Sequence, residues 1–308
     1  MPVVQLVILA AGHGRRFGGL KQLAPVGPNG ESIMDYTALA AMACGFTGVV
    51  VVVRQEIEDE VASHVRRRWP AHLDVRYARQ PPVPGTAQAV LCTRPLVDGP
   101  FGVANADDLY GEAALRLIVE HLDAHGGASG EMLDERCPAD RHLLVAYQLA
   151  RTVLSGATVT RGLCAVGSDH RLERIAEHKV HMHDDGTFDA VPLADAAPRA
   201  LATGERSRTQ ILLSGHELVS MNLWGFHTRL FGELDEAVAA FDPDTAERPE
   251  LLLPDVVGRL VRSGQDDVHV VETANRCIGI THREDIAIVR SEVARESAHL
   301  DAVRARQA

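Results

Sequence analysis

Apolar and amphipathic stretches alternate along the first 125 residues of the chain, at the lengths of strands and helices. Four apolar runs are typical of strands buried on both faces: residues 3–11, 48–53, 73–78 and 101–106. Helical periodicity follows each run, at residues 32–44, at 56–69, from about 85, and at 112–125. This alternation predicts an α/β fold with a doubly wound, mostly parallel sheet, which binds ligands beyond the carboxyl ends of its strands.

The pattern becomes β-rich after a predicted flexible break at residues 126–130. Strands are predicted at residues 143–149, 158–166, 172–181 and 218–226. Residues 184–213 show little periodicity and predict a mobile insertion over the site. Helices at 251–263 and 285–306 and a strand near 268–273 complete the pattern. We expect one domain (1–308) with a first half at 1–125, a second at 140–285 and a C-terminal helix at 285–308. That helix is interpreted as packed on the domain, and a homo-oligomer interface is the alternative.

A glycine-rich turn follows the first apolar run directly. Gly12 and Gly14 let the backbone bend sharply and expose its N–H groups, and successive N–H groups of this kind form an anion site. Arg15, Arg16 and Lys21 add positive charge. The turn therefore predicts a polyphosphate site, the alternative being a strand–turn–helix corner with solvated arginines. It matches neither the Walker A pattern nor the third glycine of the dinucleotide fingerprint, which disfavours a hydride-transferring enzyme.

Charge and cysteine usage narrow the class of partner. The net charge of −11 disfavours nonspecific binding to nucleic acid, because the chain lacks the basic field that phosphate contacts need. No apolar run is long enough for a bilayer, and residues 1–11 lack the basic start of a signal peptide, so no membrane is expected as a partner. The five cysteines form no C-x-x-C pair, which argues against a disulfide framework and a zinc site and favours the cytoplasm. The histidines at 178, 181 and 183 are interpreted as a polar strand or loop face, with a metal site as the alternative.

Two adjacent acids, Asp107 and Asp108, follow the fourth predicted strand at the rim of the sheet. Adjacent residues of an extended chain point to opposite sides, so we expect one of the two to face a ligand. A carboxylate here can bind Mg²⁺ together with substrate phosphates, and Asp107, nearer the strand, is the better candidate. The alternative role is that of N-cap for the helix starting at Glu112, which suits Asp108.

Three segments carry a resemblance to a known family. The pattern L-A-A-G-x-G-x-R with a following lysine, here residues 9–16 and Lys21, resembles the activating loop of the sugar-phosphate nucleotidyltransferases (sugar pyrophosphorylases). Residues 105–111 look like that family's motif after a later strand, and Gln80 ahead of Gly85 matches the layout of its base-binding segment. The resemblance covers most of the chain and is strongest in residues 3–54 and 80–111.

This resemblance implies a Rossmann-like nucleotidyltransferase fold and transfer of a nucleotidyl group from an NTP to a sugar 1-phosphate, with Mg²⁺ as cofactor. It implies catalytic roles for Arg16, Lys21 and Asp107, with Asp107 as the metal ligand. Base choice would rest on Gln80, with uracil or thymine favoured. The implied nucleotide-binding residues are Leu9, Ala10, Ala11, Gly12, Gly14, Gln80, Gly85 and Thr86. The implied sugar-binding residues are Asn105, Glu177, Lys179, Ser220 and Asn222.

Two positions depart from the family pattern. His178 separates Glu177 from Lys179, where the family has adjacent Glu and Lys, and Gly279 stands where many members place a second acidic metal ligand. Because of Gly279, one alternative function is that of a regulatory homologue, which binds nucleotide or sugar but does not transfer a nucleotidyl group. The pair Lys21–Gln22 is shared with cytidylyltransferases of isoprenoid synthesis, which motivates cytidylyl transfer to a non-sugar phosphate alcohol.

Overall fold

The computed structural model describes residues 3–14, 17–83, 85–123, 141–154, 157–193, 210–244, 246 and 249–295. Its strands are β1 (Gln5–Leu9), β2 (Gly48–Val53), β3 (Val75–Arg79), β4 (Phe101–Asn105), β5 (Asp108–Leu109), β6 (His142–Gln148), β7 (Thr158–Val166), β8 (Leu172–Met182), β9 (Phe188–Pro192), β10 (Ile211–Leu213), β11 (Leu218–Phe226), β12 (Val268–Thr273) and β13 (Ile278–Gly279). Its helices are α1 (Ile33–Cys44), α2 (Glu58–Arg68), α3 (Thr86–Leu91), α4 (Glu112–Asp123), α5 (Leu230–Ala239), α6 (Leu253–Ser263) and α7 (285–295).

Parallel strands form the centre of the first half, in the order β3-β2-β1-β4. Val7 of β1 lies opposite Val50 of β2 on one side and Val103 of β4 on the other. Every residue of β1 and β2 is buried, as uninterrupted apolar runs predict for strands covered on both faces. The carboxyl ends of β1 and β4 lie side by side, so the glycine-rich turn and Asp107 leave the sheet at the same edge.

The second half extends the same sheet by antiparallel pairing. β11 pairs with β6 along one edge, and along its other edge it pairs first with β7 and then with β4. β8, β9 and β10 follow β7 outward in antiparallel order. β12 pairs in parallel with β6. The predicted α/β fold class, with a parallel core and a β-rich second half, is confirmed.

The expected mobile insertion at 184–213 is wrong for part of its length. β9 pairs with β8, and β10 pairs with β9, so both belong to the sheet. These strands are too short to show a clear period of two, which is why the sequence did not indicate them. Residues 194–209, like the predicted break at 126–130, lie outside the described part of the chain.

A hydrophobic cluster apart from the main core lies under the glycine-rich turn. It joins Phe17 to Leu109 of β5, Ile278 of β13, and Val289 and Val293 of α7. The C-terminal helix is therefore packed on the domain as far as residue 295, while 296–308 lie outside the described residues. Among the helices that the structure describes, none combines the length and apolar character that a bilayer crossing requires.

Candidate active site

A cavity of about 270 Å³ opens where the parallel strands meet the antiparallel ones. Residues at the end of β4 form one side, and β7, β8 and β11 form the other. The cavity brings together six of the residues proposed from the sequence: Thr86, Asn105, Asp107, Glu177, Ser220 and Asn222.

The far wall of the cavity comes from one face of three neighbouring strands. Ser220 of β11 lies opposite Gly162 of β7, and Gly162 lies opposite Glu177 of β8, so the three residues form a row across the sheet. A side chain at Gly162 would lie in van der Waals range of Ser220, so the glycine leaves open space between the hydroxyl and the carboxylate. Lys179 is two residues from Glu177 on the same exposed strand face but is not among the described residues lining the cavity. His178 points to the opposite, buried face, where its Nδ1 lies 2.8 Å from the carbonyl of Ala176.

Asp107 and Asp108 both line the cavity. The Asp107 carboxylate forms an ion pair with the ammonium group of Lys21, which connects the glycine-rich turn to the end of β4. Asp108 accepts a hydrogen bond of 2.8 Å from the Asn105 amide, and no described contact joins its side chain to the start of α4. Asp108 lies in β5, ahead of the residue next to the start of α4, so the alternative role of helix N-cap is wrong. Burial and the nearby Asp107 charge raise the pKa of Asp108 to about 6.

Gly279 and Asp108 occupy each other's space. They lie opposite one another in the short ladder of β5 and β13, and a Cβ at position 279 would lie 2.0 Å from Asp108 Oδ1. No residue larger than glycine fits at 279 while Asp108 keeps this position. The missing acid at 279 is therefore accompanied by a carboxylate that fills the adjoining space from position 108.

A chain of hydrogen bonds runs from the core to Asp108. The indole N–H of Trp224 donates to Asn222 Oδ1 (2.8 Å), and the Asn222 amide donates to Asn105 Oδ1 (2.9 Å). The Asn105 amide then donates to Asp108. Asn222 lies in a bulge between β11 and β6 with a φ of +61°, a left-handed conformation that asparagine tolerates better than most residues.

Both asparagines thus have protein partners, and their proposed contact with a sugar would use the hydrogen-bonding capacity that remains. The buried Tyr110 hydroxyl ties the bulge to β4, because it donates to the carbonyl of Met221 (2.8 Å) and accepts from the N–H of Asn105 (3.0 Å).

The glycine-rich turn is tightly folded. The N–H groups of Phe17 and Gly18 both donate to the Gly14 carbonyl at 2.9 Å. Gly14 has a φ of +57°, and a Cβ there would lie 2.4 Å from the carbonyl oxygen of Gly19, so only glycine fits. Arg15 and the proposed catalytic Arg16 lie outside the described residues.

Side chains from outside the turn hold the carbonyls at the end of β1. Arg54 Nε donates to the carbonyl of Ala11 (2.8 Å), and the buried Gln22 amide donates to that of Ala10 (2.8 Å). The N–H of Ala10 donates to the carbonyl of Val52 (2.9 Å). The backbone N–H groups of residues 11–14 are therefore the ones that this turn offers to a ligand.

Gln80 and Gly85 make contacts within the protein that are sufficient to explain these residues without a ligand. The Gln80 amide donates to the carbonyls of Val83 (3.2 Å) and Gly85 (3.1 Å), which closes its own loop. Gly85 has a φ of +125°, and a Cβ there would lie 2.2 Å from the carbonyl oxygen of Leu251. Close packing against that backbone requires the glycine, whether or not a base approaches it. Gln80 and Gly85 are not among the described residues that line the cavity, whereas Thr86 is.

Arg161 is a cavity residue that the sequence analysis missed. Its guanidinium donates to the hydroxyl (3.1 Å) and carbonyl (2.5 Å) of Thr152 and to the carbonyl of Thr160 (2.9 Å). Burial lowers its pKa, and the Asp108 charge acts in the opposite direction. Strand periodicity marks Arg161 only as one residue of a mixed strand, and its partner Thr152 lies in a separate turn.

The described residues contain no group of three or more His, Cys, Asp or Glu side chains placed to hold a metal ion. That statement covers the histidines at 181 and 183 as well as the carboxylates of the cavity. A cation at Asp107 and Asp108 would need substrate oxygens as further ligands, which is the arrangement that Mg²⁺ adopts with phosphates.

Comparison with known proteins tests the resemblance to nucleotidyltransferases. Residues 6–130 match the family model of the MobA-like NTP transferase domain. The resemblance to nucleotidyltransferases is therefore confirmed. The chain is also 27% identical over 282 residues to the bifunctional protein GlmU of Sorangium cellulosum, a match that covers 91% of this chain. It spans about half (50%) of the length of that relative.

Solved structures share the fold across both halves. A structure assigned as a glucose-1-phosphate thymidylyltransferase from Bacillus anthracis is 14% identical, with a TM-score of 0.62 and coverage of 94% of each chain. The inositol-1-phosphate CTP transferase of T. maritima is 15% identical, with a TM-score of 0.60 and coverage of 94% and 95%. A UDP-glucose pyrophosphorylase is 15% identical, with a TM-score of 0.62 and coverage of 96% and 100%. At these identities the likeness shows the fold alone.

Proposed function

We propose that this protein transfers a nucleotidyl group from an NTP to a sugar 1-phosphate and releases pyrophosphate. The observation that carries the proposal is the cavity between two chemically different walls. One side holds Asp107 at the end of β4, whose carboxylate pairs with Lys21 beyond the glycine-rich turn. The other side holds the row of Ser220, Gly162 and Glu177. Cation, backbone N–H groups and carboxylate suit a nucleotide, whereas hydroxyl and carboxylate groups on an open strand face suit a sugar.

In this reaction an oxygen of the acceptor phosphate attacks the α-phosphorus, and the bond to the departing pyrophosphate breaks on the opposite side. The protein's part is to position the reactants and to neutralise charge, so no protein nucleophile is required. Lys21 and the N–H groups of residues 11–14 would hold the nucleotide phosphates, and Arg16 would stabilise the departing β- and γ-phosphates. Glu177 would accept hydrogen bonds from sugar hydroxyls.

The donor set at the cavity fits Mg²⁺. Two carboxylates lie side by side there, and burial, followed by the Asp107 charge, raises the pKa of Asp108. A bound cation would offset both effects, because it stabilises the charged carboxylates. Asp107 would hold the ion, with Asp108 as the adjacent carboxylate and phosphate oxygens as further ligands. When bound, the ion would supply charge neutralisation at the reacting phosphates.

A second candidate is cytidylyl transfer to a non-sugar phosphate alcohol. A likeness to an inositol-1-phosphate CTP transferase favours it, as does the Lys21–Gln22 pair. In this chain Gln22 is buried and holds the Ala10 carbonyl, so a structural need already explains it. The non-catalytic reading draws on Gly279 alone, and the carboxylate of Asp108 beside that glycine supports transfer instead.

The test is pyrophosphate release in the presence of Mg²⁺. Each of UTP, dTTP, CTP, ATP and GTP is offered with a pool of sugar 1-phosphates, and separately with non-sugar phosphate alcohols. Release that requires Mg²⁺, a sugar 1-phosphate and Asp107 would support the proposal. Release with the alcohols alone would favour cytidylyl transfer, and nucleotide binding without any release would favour the non-catalytic homologue.

A further inference from the structure

Residues 278–285, here called the bracket segment, contact both motifs of the site, the glycine-rich turn and the Asp107–Asp108 pair. Its first part continues β5 as an antiparallel partner, with Ile278 opposite Leu109 and Gly279 opposite Asp108. The N–H of Ile280 then donates to the carbonyl of Asp107 at 3.0 Å. The backbone that carries both carboxylates is thereby fixed to this segment.

The second part of the bracket segment is a turn with a fixed shape. The carboxylate of Asp285 accepts hydrogen bonds from the N–H groups of Thr281 (2.7 Å) and His282 (2.6 Å). Thr281 lines the cavity, and Arg283 lies in the same turn. The turn therefore presents Arg283 at a defined distance from the carboxylate segment.

Arg283 donates hydrogen bonds from its side chain to backbone carbonyls of the glycine-rich turn. Its Nε donates to the carbonyl of Phe17 (3.0 Å), and one terminal nitrogen donates to that of Gly18 (3.2 Å). The guanidinium carbon also lies 5.2 Å from the centre of the Phe17 ring, within the range of a cation–π contact. A planar guanidinium that makes two bonds and a ring contact fixes the orientation of these peptide groups, which a single flexible ammonium group cannot do.

The orientation of these peptide groups affects the site because the same stretch of backbone leads directly to Lys21. In a trans peptide the N–H points opposite to the carbonyl, so a Gly18 carbonyl held by Arg283 directs the N–H of Gly19 away from Arg283. The carbonyl of Gly19 accepts from the N–H of Lys21 at 3.0 Å, and the Lys21 side chain pairs with Asp107. The same segment thus holds the glycine-rich turn at one end and the Asp107 backbone at the other.

We propose that Arg283 is a positioning residue for the nucleotide site, and that the bracket segment sets the placement of the glycine-rich turn relative to Asp107. The kinetic part of this inference rests on the proposed function. The structural part, an ordered turn that depends on Arg283, does not. Arg283 is exposed and is not itself a member of the hydrophobic cluster that contains Phe17.

The test compares Arg283→Gln with Arg290→Gln. Arg290, on α7, also donates to one backbone carbonyl, that of Pro25 (3.0 Å), but makes no described contact with residues 12–21. The two variants lose the same charge, each from an exposed position. Hydrogen exchange of the unliganded protein is followed in peptides covering residues 17–21. We expect Arg283→Gln to speed exchange there about tenfold, Arg283→Lys to have an intermediate effect, and Arg290→Gln to have none.

In turnover, Arg283→Gln should raise the KM for the NTP about fivefold and that for the acceptor less than twofold. Calorimetric titration with UTP, dTTP and CTP measures the same change in affinity without turnover. If the wild-type protein transfers nothing, the proposed function fails, while exchange and nucleotide affinity still decide this inference. Unchanged exchange at 17–21, or an equal rise throughout the protein, would overturn it.

Discussion

The two halves of the molecule place their chemistry in different kinds of structure. In the parallel half, the candidate residues follow the strands, in a turn of glycines after β1 and at the end of β4. In the antiparallel half they lie on the strands themselves, as a row across β11, β7 and β8 and in a bulge within β11.

This difference decides how each half can vary. A turn beyond a strand end can change its residues without disturbing the ladder, whereas a residue on a strand is constrained by its cross-strand neighbours and by register. We therefore expect the phosphate chemistry to depend on a few residues at the strand ends, and the choice of acceptor to depend on the register and shape of the antiparallel wall.

The largest effect tests the strand-end side. Asp107→Asn removes a carboxylate where charge neutralisation is needed, and we expect the rate of pyrophosphate release to fall about 1,000-fold. Asp98→Asn is the control, since Asp98 precedes the other end of β4 and pairs with Arg76 on the surface. The circular dichroism of both variants should match that of the parent. If the Asp107→Asn protein remains active, the carboxylate at the end of β4 is not needed for pyrophosphate release.

A smaller loss of activity is expected when the contact between position 279 and the Asp108 carboxylate is disturbed. Gly279→Ala places a methyl group in the space of Asp108 Oδ1, so the carboxylate must move, and we expect a loss of activity of about 100-fold. Gly232→Ala in α5 is the matched control, because a Cβ there meets nothing within 4 Å and alanine favours a helix. Activity equal to that of the control would show that the position of Asp108 is unimportant.

A buried histidine of the second half should make the protein sensitive to acid. His269 on β12 has a buried Nδ1 without a partner among the described residues, whereas His64 in the first half is hydrogen-bonded to Asp35. Burial, and then the nearby His121, His170 and Arg141, lower the pKa of His269 to about 4, against the opposing charge of Asp169.

Because the unfolded chain binds that proton from about pH 6.5, the folded state loses stability as the pH falls toward 4. The expected contribution is roughly 2 kcal/mol between pH 6.5 and 4.5. Urea unfolding of the parent and of His269→Gln at both pH values measures it. An equal loss in both proteins would assign the acid sensitivity to other groups.

The smallest effect concerns the bulge. Asn222→Gly and Asn222→Ala both remove the amide that bonds Asn105, but only glycine adopts a φ of +61° without strain. We expect the alanine variant to be less stable than the glycine variant by about 1 kcal/mol, measured by chemical unfolding. Equal stability would mean that the bulge relaxes, and that the wall is less rigid than the comparison of the two halves assumes.

Sequence reasoning recovered the elements that local pattern determines. β2, β7, β11 and β12 have the predicted bounds, because runs of β-branched and apolar residues bounded by turn residues indicate strands strongly. The ladder of β5 and β13 is two residues long on each side and joins distant segments, so no local period could reveal it. The helix α5 was not predicted.

In the candidate site, too, residues in local motifs could be predicted from the sequence, whereas contacts between distant segments could not. Residues in recognisable motifs, such as Asn105 and Asp107, are brought to the cavity together with Glu177 and Asn222. The Thr152 partner of Arg161 lies in another segment, and the close backbone contact at Gly85 comes from residue 251, so neither could be inferred from spacing along the chain. The role of Asp108 depends on the absence of a side chain at 279, a contact between residues far apart in sequence.

That contact also restricts how the chain can evolve. Positions 108 and 279 share one volume, which holds a carboxylate from one position or a side chain from the other. A substitution that adds bulk at 279 is acceptable only after 108 has become small, and the order of the two changes decides whether the intermediate retains two carboxylates near the phosphates. Relatives with an acid at the position of Gly279 should therefore carry a smaller residue at that of Asp108, and the two positions should change as a pair.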